Sequence, residues 1–189
     1  ASERLKDDDE VFRASLEGVI YDTSLQHASE RIRDTKELVR MAVKEHGSDL
    51  RYASDSLRDD SDVVLSAVRE HPPSLQYASD RLKGDKDFMK NVVGQWGYLL
   101  EYADDNLKND RDIVLAAMQN QYNAFEYASP DLRNDKELAS MAIEGSSKLI
   151  RFASPALRND RDVVLMAVED DYTTLQYASE ELQDDDQII

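Results

Sequence analysis

The sequence predicts an all-α fold of stacked repeats, an α-solenoid of about seven 25-residue helical repeats, and three observations carry that prediction. The first is a strict period. Ala-Ser or a close variant recurs at Ala28, Ala53, Ala78, Ala103, Ala128, Ala153 and Ala178, 25 residues apart each time, and an eighth copy at Ala1 stands 27 residues before Ala28. The second is an apolar pattern of helical spacing inside each unit. The third is composition: 41% hydrophobic residues supply a core, while 6 Gly and 4 Pro in 189 residues leave few helix breakers. A 25-residue unit cannot bury its apolar stripe alone, so neighbours stack, and at roughly 8–10 Å per helix layer seven units predict a rod on the order of 60–70 Å long.

Counting the Ala as position one, each element follows in order. Position eight is Asp in seven of eight copies (Asp8, Asp60, Asp85, Asp110, Asp135, Asp160, Asp185) and Thr35 in the other. All are N-cap residue types, so a helix begins there. Position ten is usually acidic, which suits the first turn and its positive dipole end. Positions 11, 12, 15 and 16 follow as Val63, Val64, Ala67 and Val68, or Val163, Val164, Ala167 and Val168, one apolar stripe over about three turns. After a variable stretch, position 23 (Leu50, Leu75, Leu100, Phe125, Ile150, Leu175), a Tyr at position 25 and the next Ala predict a second, shorter helix. Pro130 and Pro155 follow Ser129 and Ser154 directly. Because Pro is tolerated at the first helical position and not inside, the second helix ends near the Ala, and the Ser caps one further turn of 3₁₀ type whose position-five Leu enters the core.

A longer period runs through the repeat. Position 13 reads Arg40, Leu65, Lys90, Leu115, Ser140, Leu165, and position 22 reads Asp49, Ser74, Leu99, Ala124, Leu149, Thr174. Large and small residues compensate, which predicts that positions 13 and 22 are neighbours, that Arg40 pairs with Asp49, and that the structural period is a 50-residue double unit.

The stretches Leu157-Arg158-Asn159-Asp160-Arg161-Asp162-Val163-Val164-Leu165-Met166-Ala167-Val168 and Leu175-Gln176-Tyr177-Ala178-Ser179 resemble the tandem-repeat family known as domain of unknown function 4116, over nearly the whole chain. The resemblance implies a unit of about 50 residues made of two halves, a helical-repeat architecture found in bacteria, protists and algae, and no assigned activity. It carries over no catalytic residues. The first unit (Val11-Phe12-Arg13-Ala14-Ser15-Leu16, with two extra residues near Gly18 to Asp22) and the fourth Ala-started unit (Gly84, Asn91, Val92) depart from the motif.

Charge narrows the function classes. With 40 Asp+Glu against 23 Lys+Arg the net charge is −17, which repels phosphate and argues against a nucleic-acid partner. No apolar run reaches the roughly 20 residues of a bilayer span, so the chain reads as not membrane-spanning. The absence of Cys removes disulfides and thiolate sites without indicating a compartment, and localisation is not legible. Seven of the acids are position-eight caps, so part of the acidity is a by-product of starting a helix every 25 residues.

Candidate chemistry is sparse. The Asp-rich corners Asp7-Asp8-Asp9-Glu10, Asp59-Asp60-Ser61-Asp62 and Asp184-Asp185-Asp186 lack the twelve-residue calcium loop, and the N-cap role explains their recurring Asp. His46 and His71 hold the same position in adjacent units, roughly 8–10 Å apart, without a repeating third ligand for zinc. With His27 the only other histidine and no glycine-rich phosphate loop, no triad or P-loop is supported. No metal, cofactor or catalytic residue is assigned, and the chain reads as not an enzyme. The regular Tyr series at position 25 is read as packing between units.

The candidate partner-binding residues lie between the two helices, at positions 17 to 21: Trp96, Tyr98, Tyr122 and Tyr172, with His46 and His71 on the same edge. Aromatic residues on a polar solenoid edge are hot-spot material, and Trp96→Ala is expected to weaken partner binding by about 2 kcal/mol. The whole of 1–189 reads as one repeat array, a window on a longer chain, because it starts without Met and stops two residues into a long helix. The function expected is a non-catalytic scaffold mediating protein–protein interaction with a protein partner of basic surface. The alternatives are a structural linker subunit of a multi-protein complex, or a targeting module of a larger enzyme or bacterial effector.

Overall fold

The computed structural model describes residues 7–16, 24–185 and 188. The insertion at Gly18 to Asp22 and the repeat-template positions at Ala1, Asp186 and Ile189 lie outside them. The described residues form helices and turns without a strand: seven long α-helices, α1 (Asp9–Leu16), α2 (Lys36–Glu45), α3 (Ser61–Glu70), α4 (Lys86–Val93), α5 (Arg111–Asn120), α6 (Lys136–Gly145) and α7 (Arg161–Asp170). They follow one another at the predicted period. The chain divides into two compact units, Ala1–Phe88 and Met89–Ile189, each a stack of the same repeat.

The long helices start where the sequence places them. Asp60, Asp110, Asp135 and Asp160 each accept hydrogen bonds from the backbone N–H groups two and three residues on. Thr35 does not: its hydroxyl donates to the Arg31 carbonyl at 2.7 Å and leaves the first turn of α2 without a side-chain cap. The expected stripe is the core. Leu38, Val39, Ala42 and Val43 of α2, Val63, Val64, Ala67 and Val68 of α3, and Ile113, Val114, Ala117 and Met118 of α5 are fully buried. Fully burying one such aliphatic side chain is worth about 1.5–3 kcal/mol.

The two shorter elements exchange the types predicted for them. The second helix is a six-residue 3₁₀ segment, as in Gly47–Tyr52, Pro72–Tyr77, Gly97–Tyr102, Tyr122–Tyr127, Ser147–Phe152 and Tyr172–Tyr177. The capped turn after it is a four-residue α-turn at Asp55–Arg58, Asp80–Lys83 and Asp105–Lys108, and is 3₁₀ only after the two prolines, at Leu132–Asn134 and Leu157–Asn159. In a 3₁₀ segment residues i and i+3 eclipse. That is why positions 20, 23 and the following Ala (Gly47, Leu50, Ala53; Ser147, Ile150, Ala153) share the buried side. Position-five Leu57, Leu82, Leu107 and Leu157 enter the core as expected, whereas Leu132 stays half-buried.

Consecutive repeats are stitched at the capped turn. The position-two N–H donates to the position-six carbonyl of the preceding repeat: Ser54 to Arg33, Ser79 to Arg58, Ser129 to Lys108 and Ser179 to Arg158, each 2.9 Å. A carbonyl that the end of a helical turn leaves without a partner is thereby satisfied by the next repeat. The serine hydroxyls add a second link, donating to Asp59 from Ser79, to Asn134 from Ser154 and to Asn159 from Ser179.

The pairing expected of positions 13 and 22 is absent from the packing. Position 22 is buried in every copy described, while Arg40 and Lys90 at position 13 are exposed and Leu65, Leu115 and Leu165 half-exposed. Position 22 belongs to the core and position 13 does not. Asp49 does not pair with Arg40: its carboxylate accepts from the Ser24 hydroxyl at 3.1 Å and the Leu25 N–H at 2.7 Å, capping the 3₁₀ turn of the preceding repeat. The alternation acts at position 20, which reads Gly47, Pro72, Gly97, Tyr122, Ser147, Tyr172. A Cβ on Gly47 would lie 2.4 Å from the Ala67 carbonyl oxygen, and one on Gly97 the same distance from that of Ala117. A small residue at position 20 lets the following repeat close in, and a large one holds it off. Accordingly α2 packs directly on α3 in the first unit and α6 on α7 in the second, whereas α5 and α6 hardly approach; α1 packs on α2 as well.

Candidate interaction surface

Each repeat exposes one variable edge, where a long helix ends and a 3₁₀ segment begins. Position 19 turns this corner in an extended conformation, with φ of −138° at His46 and His71, −137° at Trp96 and −142° at Asp171. Its backbone does the structural work. The N–H closes the long helix, His71 to Ala67 at 2.8 Å, and the carbonyl accepts from position 22, Ser74 to His71 at 2.8 Å. The side chain is left free to vary.

The structure separates the predicted site residues into two groups. His46 and His71 lie in the first unit and are exposed; among the described residues no group of three or more His, Asp or Glu is placed to hold a metal ion. Trp96 and Tyr98 are half-buried, and the corner they form is held from the next repeat: Asn120 accepts from the Gly97 N–H at 2.9 Å and Gln121 from the Tyr98 N–H at 3.0 Å. Tyr122 and Tyr172, by contrast, are 46% and 60% exposed, and they are the exposed large hydrophobic residues among those described. Both begin a 3₁₀ segment at position 20, two repeats apart. The Tyr122 ring crosses Gly145 at the end of α6 so closely that a Cβ there would fall 2.1 Å from it. The sequence pointed to these tyrosines but not to the glycine that seats one of them.

The same edge of the second unit carries Glu144, Glu169, Asp170 and Asp171, all but Asp171 exposed. Hydrogen bonds from Thr173 hold the Asp171 carboxyl below the ordinary carboxylate range, with help from Lys148 at 3.7 Å. The charge of this edge changes sign along the chain: position 17 is Lys44 and Arg69 in the first unit and Glu144 and Glu169 in the second. Residues 89–189 hold 20 acidic and 9 basic residues, against 20 and 14 in residues 1–88. The sign change was readable in the sequence once position 17 was compared across copies.

The opposite edge is self-satisfied. Position-nine cations reach the next repeat's helix start: Lys36 to Asp60 at 2.7 Å, Lys136 to Asp160 at 2.8 Å, and Arg111 to Asp135 at 3.0 Å with Glu137 beyond it. Partial burial pushes the Asp60 and Asp135 carboxyls up. The bonds from Lys36 and the Val63 N–H to Asp60, and from the Leu138 N–H and Arg111 to Asp135, outweigh it and hold both below the usual value. At Asp160 the Lys136 bond is the largest effect and acts in the same direction. Exposed pairs like these contribute little to stability. The position-25 tyrosines are half-buried between repeats, and burial, a hydrogen bond with Glu126 and the charges of Glu126 and Glu101 push the Tyr127 hydroxyl up to about 12.

Repeats of a long α-helix, a 3₁₀ segment and a capped turn, tied edge to edge at a 25-residue period, define an α-solenoid. The chain belongs to the family described as Domain of unknown function (DUF4116), whose model matches residues 16–58, 35–83, 60–108, 85–133 and 135–183. Successive matches at 35, 60 and 85 advance by one 25-residue repeat while each spans two, so the family unit fits either phase of the alternation. No curated protein and no solved structure matched the chain. Among the described residues no helix is long and apolar enough to cross a membrane.

Proposed function

We propose that the chain is a non-catalytic scaffold that mediates protein–protein interaction, and that the loop edge of residues 89–189 is the surface that meets a basic partner. The observation that supports this reading is the exposure of Tyr122 and Tyr172 at the same register of alternate repeats, beside Glu144, Glu169 and Asp170. Exposed tyrosines within a charged rim are the composition of interface hot spots, and a repeat array offers them at fixed spacing. An acidic rim steers a basic partner toward them and rejects an acidic one. The test is affinity capture from the native source with the wild-type chain and with Tyr122→Ala/Tyr172→Ala, compared by quantitative mass spectrometry. A basic protein retained by the wild type and depleted at least tenfold with the variant is the expected result. Equal recovery on both removes the edge from the function.

A further inference from the structure

A groove of about 540 Å³ runs along α6, lined by Lys136, Glu137, Ser140, Met141 and Glu144. The preceding long helix, α5, hardly approaches α6. A groove of about 450 Å³ in the first unit is lined by the same five register positions of α2: Lys36, Glu37, Arg40, Met41 and Lys44. In each the half-buried methionine is the one apolar residue of the lining, and an unbranched, polarisable methionine adapts to varied apolar partners. Their charges are opposed. Lys36 and Lys136 are engaged with Asp60 and Asp160, and Glu37 and Glu137 with Arg13 and Arg111. The residues that remain are Arg40 and Lys44 in the first groove, and Ser140 and Glu144 in the second. Among the described residues Glu144 has no ion-pair partner, and Glu169 one repeat on has none either.

We infer that the groove along α6 takes a basic amphipathic helix of a protein partner, its apolar face on Met141 and its cations toward Glu144 and Glu169. This deepens the scaffold reading above and rests on it. Met141 and Glu144 lie three residues apart on one face of α6, so a partner helix can set an apolar residue on the first while a cation one turn away reaches the second. Charge complementarity selects the sign: the same groove in the first unit, bearing Arg40 and Lys44, repels a basic helix. The two grooves thus form an internal comparison, alike in register and methionine and opposite in charge.

The probe is a 14-residue amphipathic Leu/Lys peptide, titrated by calorimetry into the 189-residue chain, with a Leu/Glu peptide of the same pattern beside it. The expected result is one Leu/Lys peptide bound per chain and no binding of the Leu/Glu peptide. Ser140→Arg/Glu144→Lys weakens the Leu/Lys peptide at least tenfold. Asp105→Lys/Asp131→Lys, a larger charge change on exposed capped-turn residues, weakens it less than threefold. Arg40→Ser/Lys44→Glu, which gives the first groove the character of the second, raises the stoichiometry to two. Circular dichroism confirms that each variant keeps its helix content. Absence of binding, or equal weakening by the groove pair and the capped-turn pair, overturns the assignment. If that happens while Tyr122→Ala/Tyr172→Ala still abolishes capture of a basic protein, the groove falls and the edge stands. If capture is also indifferent to the tyrosines, both fall.

Discussion

The ring of Tyr122 lies across Gly145 of the next repeat, closer than any side chain at that position allows. A bulky position 20 thus performs two tasks. It holds α5 and α6 apart, and it presents an aromatic surface at the edge. Gly145→Ala should turn the ring away and also strain the backbone, because the added Cβ would lie 2.1 Å from the ring and 2.8 Å from the Tyr122 Cβ, which ring rotation does not move. Overpacking of this kind costs about 1–3 kcal/mol. Urea unfolding should show that loss, while quencher access to tyrosine fluorescence rises. Wild-type stability with unchanged quenching would show that the ring is not seated on Gly145.

Gly47→Ala meets backbone directly and leaves tyrosine quenching unchanged. Its Cβ would meet the Ala67 carbonyl oxygen at 2.4 Å and the His71 Cβ at 2.8 Å, where backbone has to move. Overpacking of this kind costs about 1–3 kcal/mol. Urea unfolding of the variant should show that loss, and wild-type stability would mean that the tight pairing of α2 with α3 does not depend on a bare position 20.

How much of this was legible differs by element. The long helices were readable because the Asp cap and the four-residue apolar stripe repeat without conflict, and both act locally. The 3₁₀ character of Gly47–Tyr52 and its equivalents was not, because a Leu-x-Tyr-Ala string fits either helix type and the choice follows from stacking on the next repeat. The size alternation at position 22 was visible but matched to position 13, since both alternate. The residue that makes the alternation structural, at position 20, reveals itself only when Gly97 is seen against Ala117. The tyrosine edge was named, but Trp96 and Tyr98 ranked with Tyr122 and Tyr172 because exposure depends on which neighbour closes in.

Asp49 should be a stability residue in the first unit. It is 4% exposed and accepts from the buried Leu25 N–H and from Ser24. Asp49→Ala strands that N–H, which costs about 1–3 kcal/mol. Arg40→Ala, if Arg40 were its partner, would cost the same. The expected outcome by urea unfolding is a clear loss for Asp49→Ala and almost none for Arg40→Ala.

Two pH limits follow from the ionisable groups. Asp34, Asp59, Asp60, Asp135 and Asp160 have carboxyls held below their ordinary value, so the unfolded chain binds their protons first. The stability they contribute is present above about pH 4 and is lost as pH falls through the depressed folded values. Tyr127 sets a limit of the opposite sign. Its folded pKa is raised to about 12 from 10.0, so its contribution is complete below pH 10 and disappears as pH rises toward 12. Absorbance titration at 295 nm should show a late-ionising component that Tyr127→Phe removes. A titration unchanged by that substitution would assign the late group elsewhere.

The central claim is that the loop edge of the second unit meets the partner, and hydrogen–deuterium exchange on the complex with the captured basic protein tests it most directly. The account predicts protection over residues 119–123, 144–148 and 169–174, with the capped turns near 105–108 and 131–134 unchanged. Protection confined to the capped turns, or to the first unit, would contradict it.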